Sequence, residues 1–561
     1  MDPSAAAAGL TGSPISSQRH GSDGTAPAAR SPRITKATPG REHRLRDQRD
    51  EPESPPRTAP VSRNASPKVY IHPLLLSLGR AVKQPTFDPY HLPPEAVREP
   101  PTTLWKTLRM IGPGIVLAGT IVGSGELLVT TGLGATTGYA FLWLILFSCI
   151  IKVFVQIELG RYTIASGKPT LGALDEIQVP RLGANLLVWW WFVMMLATVF
   201  QLGGMTGTVG QAMHLTLPEF NSFVHARCEK VEWFTRAVGR RPELTWVWLV
   251  CGATILLLWS GSYRRLERVT TVIVVSVTLL TLAAACFLPW TKYPIRWNEA
   301  AAGLNPFTLA SADRKSLLTA FSVFGITGVG ATELFYYPYW CLEKGYARYV
   351  GRNDGSDAWK RRARGWIRVL YFDAWASMVV FTVSTVAFYF LGASVLHPQG
   401  LDPKGRDMIA TLSHMFVDGV GDWTRTLFLV GSAAVLFKTL YLSCAGNARM
   451  TADFFGLAGF KRYVDGGERS RWIVGLSLVF PVLGLFLFLL FIDPKTMVNI
   501  GGCAQAMTLP MIAGAALVFR FTKLDRGLRP SRLWDAVLIV ATVLISTVAV
   551  LTVVETLGRL T

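Results

Sequence analysis

Eleven apolar stretches, most of them about 20 residues long, recur along this 561-residue chain with short polar or basic connections between them, and that spacing leaves few folds open. They lie at about 110–135, 138–160, 184–214, 244–261, 269–289, 315–341, 366–396, 422–446, 472–492, 496–519 and 533–557. A backbone in lipid has no water to bond, so each stretch is expected to be a helix that satisfies its own N–H and C=O groups. Half of the residues are hydrophobic and only 17% are charged, which is the balance of an all-α, polytopic membrane protein with eleven transmembrane helices and a lipid bilayer around it.

The first 100 residues differ in kind. Runs such as RDQRDEPESPPRTAPVSR are too polar and proline-rich to bury a core, so a disordered basic tail is expected, ending in a short surface helix at YIHPLLLSLGRAV. The long polar, Pro- and Arg-rich N-terminal region does not read as a cleavable signal peptide, so the first span is expected to target the protein itself. Lys and Arg set the orientation: RYTIASGKPTLGALDEIQVPR, YRRLER, the connection from Lys344 to Arg368, that from Arg449 to Arg471, and FRFTKLDRGLRPSR are the basic ones. By the positive-inside rule they and the N-terminus are cytoplasmic, in a multi-pass protein of a cell membrane, most simply a bacterial inner membrane. The net charge of +19 is then accounted for by a tail and loops beside anionic lipid, and no nucleic-acid motif is present.

Catalytic chemistry finds no support. Seven cysteines are scattered singly, six of them in or beside spans, which suggests neither disulfides nor a Cys-based metal site. The eight histidines form no metal or nucleophile constellation. GSGE around Ser124 lacks the flanking glycines of a nucleophile elbow, and GKPT at 167–170 lacks the upstream glycine of a phosphate loop, since position 162 is Tyr. No cofactor is implied, and energy for any transport is expected from an ion gradient.

The first and sixth spans echo each other. The first reads GTIVGSGELLVTTG and the sixth GITGVGATELFYYPYW, each with small residues followed by Glu and Leu near mid-span. Five helices separate them, the spacing expected of an inverted repeat of five plus five helices, here about 110–290 and 315–520 with an eleventh helix at 533–557. In such folds the first helix of each half is broken, and the unwound pieces meet near the membrane midplane around an ion or substrate. Glycine suits such a break, because it tolerates unusual backbone angles and lets a ligand approach the main chain. The candidate site is therefore Gly123, Ser124, Gly125 and Glu126 with Gly330, Ala331, Thr332 and Glu333. Lys438 lies deep in the eighth span, where an ammonium demands a partner, and is expected to pair with one of the glutamates or with an anion. Lys152 and Glu158 are expected to snorkel or pair with a neighbour; Asp373 is expected to be interfacial, and with Lys438 and Gln505 it is a candidate for a coupling or accessory role.

The segment from Gly112 to Leu174 resembles the start of the Nramp divalent-metal transporters: a GPG opening, a broken first helix, a GA-x-x-GY turn, and an Arg followed closely by GK. LYLSCAGNARMTADFFGLAGF, at 440–460, resembles the small-residue segment of their eighth helix. The resemblance covers nearly everything after residue 100, and it implies a LeuT-like fold and proton-linked ion transport. In that family the two breaks carry the motifs DPGN and MPH. Counted from Gly134 and Ala135, the DPGN positions are Gly123, Ser124, Gly125 and Glu126, and the MPH positions are Gly330, Ala331 and Thr332, followed by Glu333.

The departures point to two ligand classes. Without the motif's thioether and histidine the site loses its preference for transition metals, and Glu126 and Glu333 with the Ser124 and Thr332 hydroxyls form an oxygen-only set that suits a hard divalent cation such as Mg²⁺. Alternatively, small side chains at two half-helix N-termini suit a small inorganic anion such as bicarbonate, with the glutamates carrying H⁺ or Na⁺ for coupling. Either ligand is expected to be moved by alternating access, the bundle of helices one, two, six and seven rocking against the rest.

Overall fold

The computed structural model describes residue 90 and residues 92–557, apart from 221–222, 224–242, 260–262, 308–312, 405–406, 421–422 and 492. Eleven long helices follow one another: α1 (Pro113–Thr137), α2 (Leu142–Ser166), α3 (Leu186–Thr216), α4 (Glu243–Leu258), α5 (Tyr263–Phe287), α6 (Arg314–Lys344), α7 (Asp357–Leu396), α8 (Trp423–Leu457), α9 (Gly466–Phe491), α10 (Pro494–Lys523) and α11 (Arg532–Leu557). Among the described residues nine of these are long and apolar enough to cross a membrane; α4 has 16 residues, and the apolar stretch that closes α5 and the 3-10 turn after it is Thr278–Trp290. Described β structure is one small hairpin, β1 (Arg181–Leu182) with β2 (Ala184–Asn185), which turns at Gly183 with φ of 77°.

Local chemistry sets the helix ends. The Asn185 side chain accepts from the Val188 amide at 3.0 Å and caps α3. α2 and α6 end on left-handed glycines, Gly167 and Gly345, the residues that occupy this conformation without a steric penalty. α7 starts at Asp357, earlier than the expected 366. Ser356 Oγ accepts from the Trp359 amide at 3.0 Å, and Trp359, Ala363, Trp366 and Ile367 form a buried stripe, so the basic segment continues the helix as an amphipathic extension. YRRLER likewise opens α5 as helix instead of forming a loop.

Burial separates interior from peripheral helices. Within their apolar windows 89% of residues are buried in α1 and 83% in α6, against 33% in α9 and 39% in α11. Phe486, Leu490, Val543 and Val550 are accordingly exposed, as side chains facing lipid are expected to be. α3 packs on α8, α9 and α10, α2 on α6 and α7, and the first half of α6 on α10.

Of the expected disordered tail, residues 1–89 with YIHPLLLSLGRAV, and residue 91, lie outside the described residues. Residues 92–100 are described and touch the basic end of α7: the Trp366 indole donates to the Arg98 carbonyl at 3.0 Å, and the Arg98 amide to the Tyr349 carbonyl at 2.9 Å. Tyr90 donates to Asp453 at 2.8 Å with the Arg469 guanidinium over its ring at 4.9 Å. Tyr90 and Leu92 share a cavity with Lys168, Arg352, Arg362 and Lys523, so this segment lies at a basic end of the bundle.

Candidate ion-binding site

Both interior helices are broken at mid-length. α1 is helical to Ile121 and resumes at Gly125 as a π-helical turn that runs to Thr130. α6 is helical to Ile326 and resumes at Ala331. Gly328, inside the second break, has φ of 65°, and a Cβ there would stand 2.8 Å from the Cys149 Cα, so both backbone angle and space require glycine. A helix that stops in the membrane leaves carbonyls without partners. Two lysines meet them. Lys438 Nζ, from α8, donates to the Val122 carbonyl at 2.6 Å, and Lys152 Nζ, from α2, donates to the carbonyls of Phe324 and of Thr327, the latter at 2.9 Å.

Between the breaks lies a small cavity of about 30 Å³, room for roughly two waters. Ser124 and Gly125 line it from α1, Thr332 and Glu333 from α6, Gln201 from α3 and Gln505 from α10. Most of the hydrogen-bond donors in its wall are engaged elsewhere. Thr120, Thr198 and Thr439 donate to carbonyls of their own helices at 2.7, 2.8 and 2.9 Å, and Tyr336 donates to Asn447 at 2.8 Å. Gln505 Nε2 donates to Gln201 Oε1 at 3.1 Å, while Gln505 Oε1 accepts from the Thr332 amide at 3.1 Å. Lone pairs therefore dominate what faces the cavity. Among the described residues, Glu333 Oε2 and Thr332 Oγ1 are buried without any partner.

The family model described as "Natural resistance-associated macrophage protein-like" matches residues 114–555. The chain belongs to the Nramp family. It is thus a multi-pass membrane transporter. An uncharacterised protein of Pasteurella multocida is 22% identical over 387 residues, which span 66% of this chain and 77% of that one. Two crystal structures of mutants of an Eremococcus coleocola manganese transporter match its fold, with TM-scores of 0.54 and 0.52, each at 16% identity over 83% of this chain and 98% of the other. The fold is thereby LeuT-like, with the broken helices α1 and α6 where the internal repeat requires them.

Within this Nramp chain the sequence-derived residues divide. Ser124, Gly125, Thr332, Glu333 and Gln505 line one cavity. Gly330 stands directly behind it: a Cβ would come within 2.5 Å of Glu333 Oε2 and 2.6 Å of Gln505 Oε1. Gly123 and Ala331 are packing positions, the first because a Cβ would overlap the Thr439 side chain, the second because it is fully buried outside the cavity wall.

Glu126 is the principal correction. It is fully buried, yet it does not line the cavity; Oε1 accepts from Thr385 Oγ1 of α7 at 3.0 Å, and Oε2 has no partner among the described residues. The helix has already resumed at Gly125, so a side chain two positions beyond Ser124 lies roughly half a turn away from the cavity. The two glutamates the sequence placed in one site therefore do not line one cavity: Glu333 does and Glu126 does not. Nor does Lys438 pair with a glutamate, because the Val122 carbonyl is its acceptor. Asp373 is buried, not interfacial: its oxygens accept from the amides of Gly112 at 2.9 Å and Gly114 at 2.6 Å and from the Tyr337 hydroxyl at 2.9 Å, capping the start of α1. Lys152 does not snorkel, while Glu158 pairs with Arg161 at 3.0 Å.

Sequence reasoning passed over Gln201, Thr385 and Met205. The signal for Gln201 was present, an amide in the middle of an apolar span. Met205 carries the larger consequence, since it lines the cavity and adds a thioether to a donor set expected to hold oxygen alone. Among the described residues no group of three or more His, Cys, Asp or Glu side chains is placed to hold a metal.

Proposed function

We propose that this chain is a secondary active transporter of a small inorganic cation, a hard divalent ion of the Mg²⁺ type, bound between the two helix breaks. One observation carries the reading: the wall of the cavity presents oxygen lone pairs and the unpartnered carboxylate oxygen of Glu333, with most of its donors engaged by the protein. Seven hydroxyl side chains and three amides line the cavity with one carboxylate and the single thioether of Met205, a donor balance that suits a hard cation retaining part of its water. That the similar Eremococcus protein is a manganese transporter is in keeping with a divalent substrate.

The anion alternative has less to stand on. The Thr332 amide at the start of the second half of α6, which an anion would use, already donates to Gln505, and Glu333 adds a repelling charge. Glu333 is the proposed ligand, Ser124, Thr332 and Gln505 supply further oxygens, and Glu126 is proposed to carry the coupling proton from its place beside α7. Rocking of α1, α2, α6 and α7 against the other helices then exposes the cavity to either side in turn. The docking of residues 92–100 at a basic end supports a cytoplasmic N-terminus.

Uptake into proteoliposomes tests this, with Mg²⁺, Mn²⁺ and bicarbonate measured in parallel on wild type and Glu333→Gln. Mg²⁺ flux that the substitution abolishes is the expected result; bicarbonate flux without metal movement, or Mn²⁺ flux that excludes Mg²⁺, would sink the hard-cation assignment.

A further inference from the structure

Two lysine side chains are buried in this membrane domain at 0% and 1% exposure, and each contacts the carbonyl end of a broken helix. Lys438 meets Val122 where the first half of α1 stops; Lys152 meets Phe324 and Thr327 where the first half of α6 stops. Among the described residues neither lysine has a carboxylate within ion-pair distance. Hydrogen bonding alone does not explain the choice of lysine. The Ser148 hydroxyl already reaches the Thr327 carbonyl at 2.9 Å and the Phe324 carbonyl at 3.3 Å, so Lys152 brings to that end a second donor, one able to carry a positive charge. A neutral donor would cap these carbonyls at far less desolvation cost than an ammonium.

The carbonyl end of a half-helix carries a partial negative charge, and in transporters built on broken helices such ends bind the coupling cation. An ammonium at 2.6–2.9 Å from carbonyl oxygens supplies the same unit charge from within the chain. We propose that Lys438 and Lys152 are tethered cations occupying both helix-end cation sites, so that this transporter works without a bound alkali ion. The two contacts differ in one respect. Lys152 and α6 belong to the same rocking bundle, whereas the contact between Lys438 and Val122 joins that bundle to the static helices. On the alternating-access reading above, Lys438 is therefore the contact that must be remade in each cycle; the occupancy of the sites does not depend on which ion is transported.

The test is a thermal melt of purified Lys438→Ala and Lys152→Ala in NaCl, KCl, methylammonium chloride and choline chloride, beside wild type. Each variant is expected to melt lower than wild type in choline and to recover by at least about 3 °C with Na⁺, K⁺ or methylammonium, wild type remaining unresponsive. Variants that respond to no small cation, or a wild type that gains as much from Na⁺ as they do, would overturn the proposal. Should the alanine variants not fold, Lys438→Met, which retains the volume of the stem, is melted in the same salts against the same criteria. Wild-type uptake must also agree within about twofold in Na⁺, K⁺ and choline, and stimulation by Na⁺ counts against tethering. Melting reads occupancy without any substrate, so failure of the Mg²⁺ assignment leaves this result standing, and the reverse.

Discussion

The break in α1 and the break in α6 start from nearly the same local sequence and arrive at different chemistry. In α6 the glutamate two residues into the resumed helix, Glu333, faces the cavity opposite Gln505; in α1 the corresponding Glu126 faces α7 and takes a hydrogen bond from Thr385. Around its break α1 gives the cavity Thr120, Ile121, Ser124 and Gly125 but no carboxylate, and its Gly123 is held tightly against Thr439. The difference teaches that a small-residue run followed by Glu and Leu encodes a break and a buried carboxylate, whereas the neighbouring helices decide whether that carboxylate faces the ligand.

The contrast is most exposed to a pair of isosteric changes. Glu333→Gln is expected to lower initial uptake in proteoliposomes at least about 100-fold, or roughly 2.7 kcal/mol, and Glu126→Gln less than about tenfold. Equal losses would mean that both carboxylates coordinate the ion in some state of the cycle. A second pair lies within the α1 break: Gly123→Ala places a methyl on Thr439 and should cost about 2 kcal/mol of stability by thermal melting. Gly125→Ala, whose Cβ would sit an ordinary 3.4 Å from Ile326, should melt close to wild type while narrowing the cavity and weakening uptake.

Thr385→Val leaves Glu126 buried without its donor and is expected to cost about 1.5 kcal/mol, with the apparent affinity for the transported ion unchanged. A shift in that affinity would tie Glu126 to the cavity after all. The smallest effect lies outside the spans, at Asp402, which accepts from Lys495 at 2.6 Å. Burial pushes the Asp402 carboxyl up, but the Lys495 hydrogen bond and charge outweigh it and hold it below the usual aspartate range. A carboxyl depressed in the folded state stabilises the fold above its unfolded pKa, about 3.9, and loses that contribution as pH falls through the lower folded value. Asp402→Asn should then melt lower than wild type at neutral pH, by about 1 kcal/mol, and the gap should begin to narrow below about pH 3.9 and close once the pH has passed the lower folded value. A gap that persists in acid would assign the loss to packing instead.

Much of this was legible in the chain itself. Runs of about 20 apolar residues admit only self-satisfied helices in lipid, so the eleven helices and their order follow from periodicity and length. The echo between GSGEL and GATEL located both breaks, because glycine clusters and an ionisable residue at mid-span are costly anywhere except at a cavity. The helical extension of α7 to Asp357 was less legible, since its basic face resembles a loop until the buried stripe of Trp359, Ala363 and Trp366 is seen.

What the sequence determined by itself was the class, the helices and the places where two of them break, all local consequences of hydropathy and backbone freedom. Only the tertiary structure decided which polar groups share a cavity. Lys438 was expected to meet one of the glutamates or an anion, yet it donates to the Val122 carbonyl while Glu126 takes its hydrogen bond from Thr385. Gln201 and Gln505, 304 residues apart, join in one network, and Lys152 reaches across to the end of the first half of α6. Such meetings depend on the angular position of each side chain around its helix and on which helices pack together, and no local pattern carries that information.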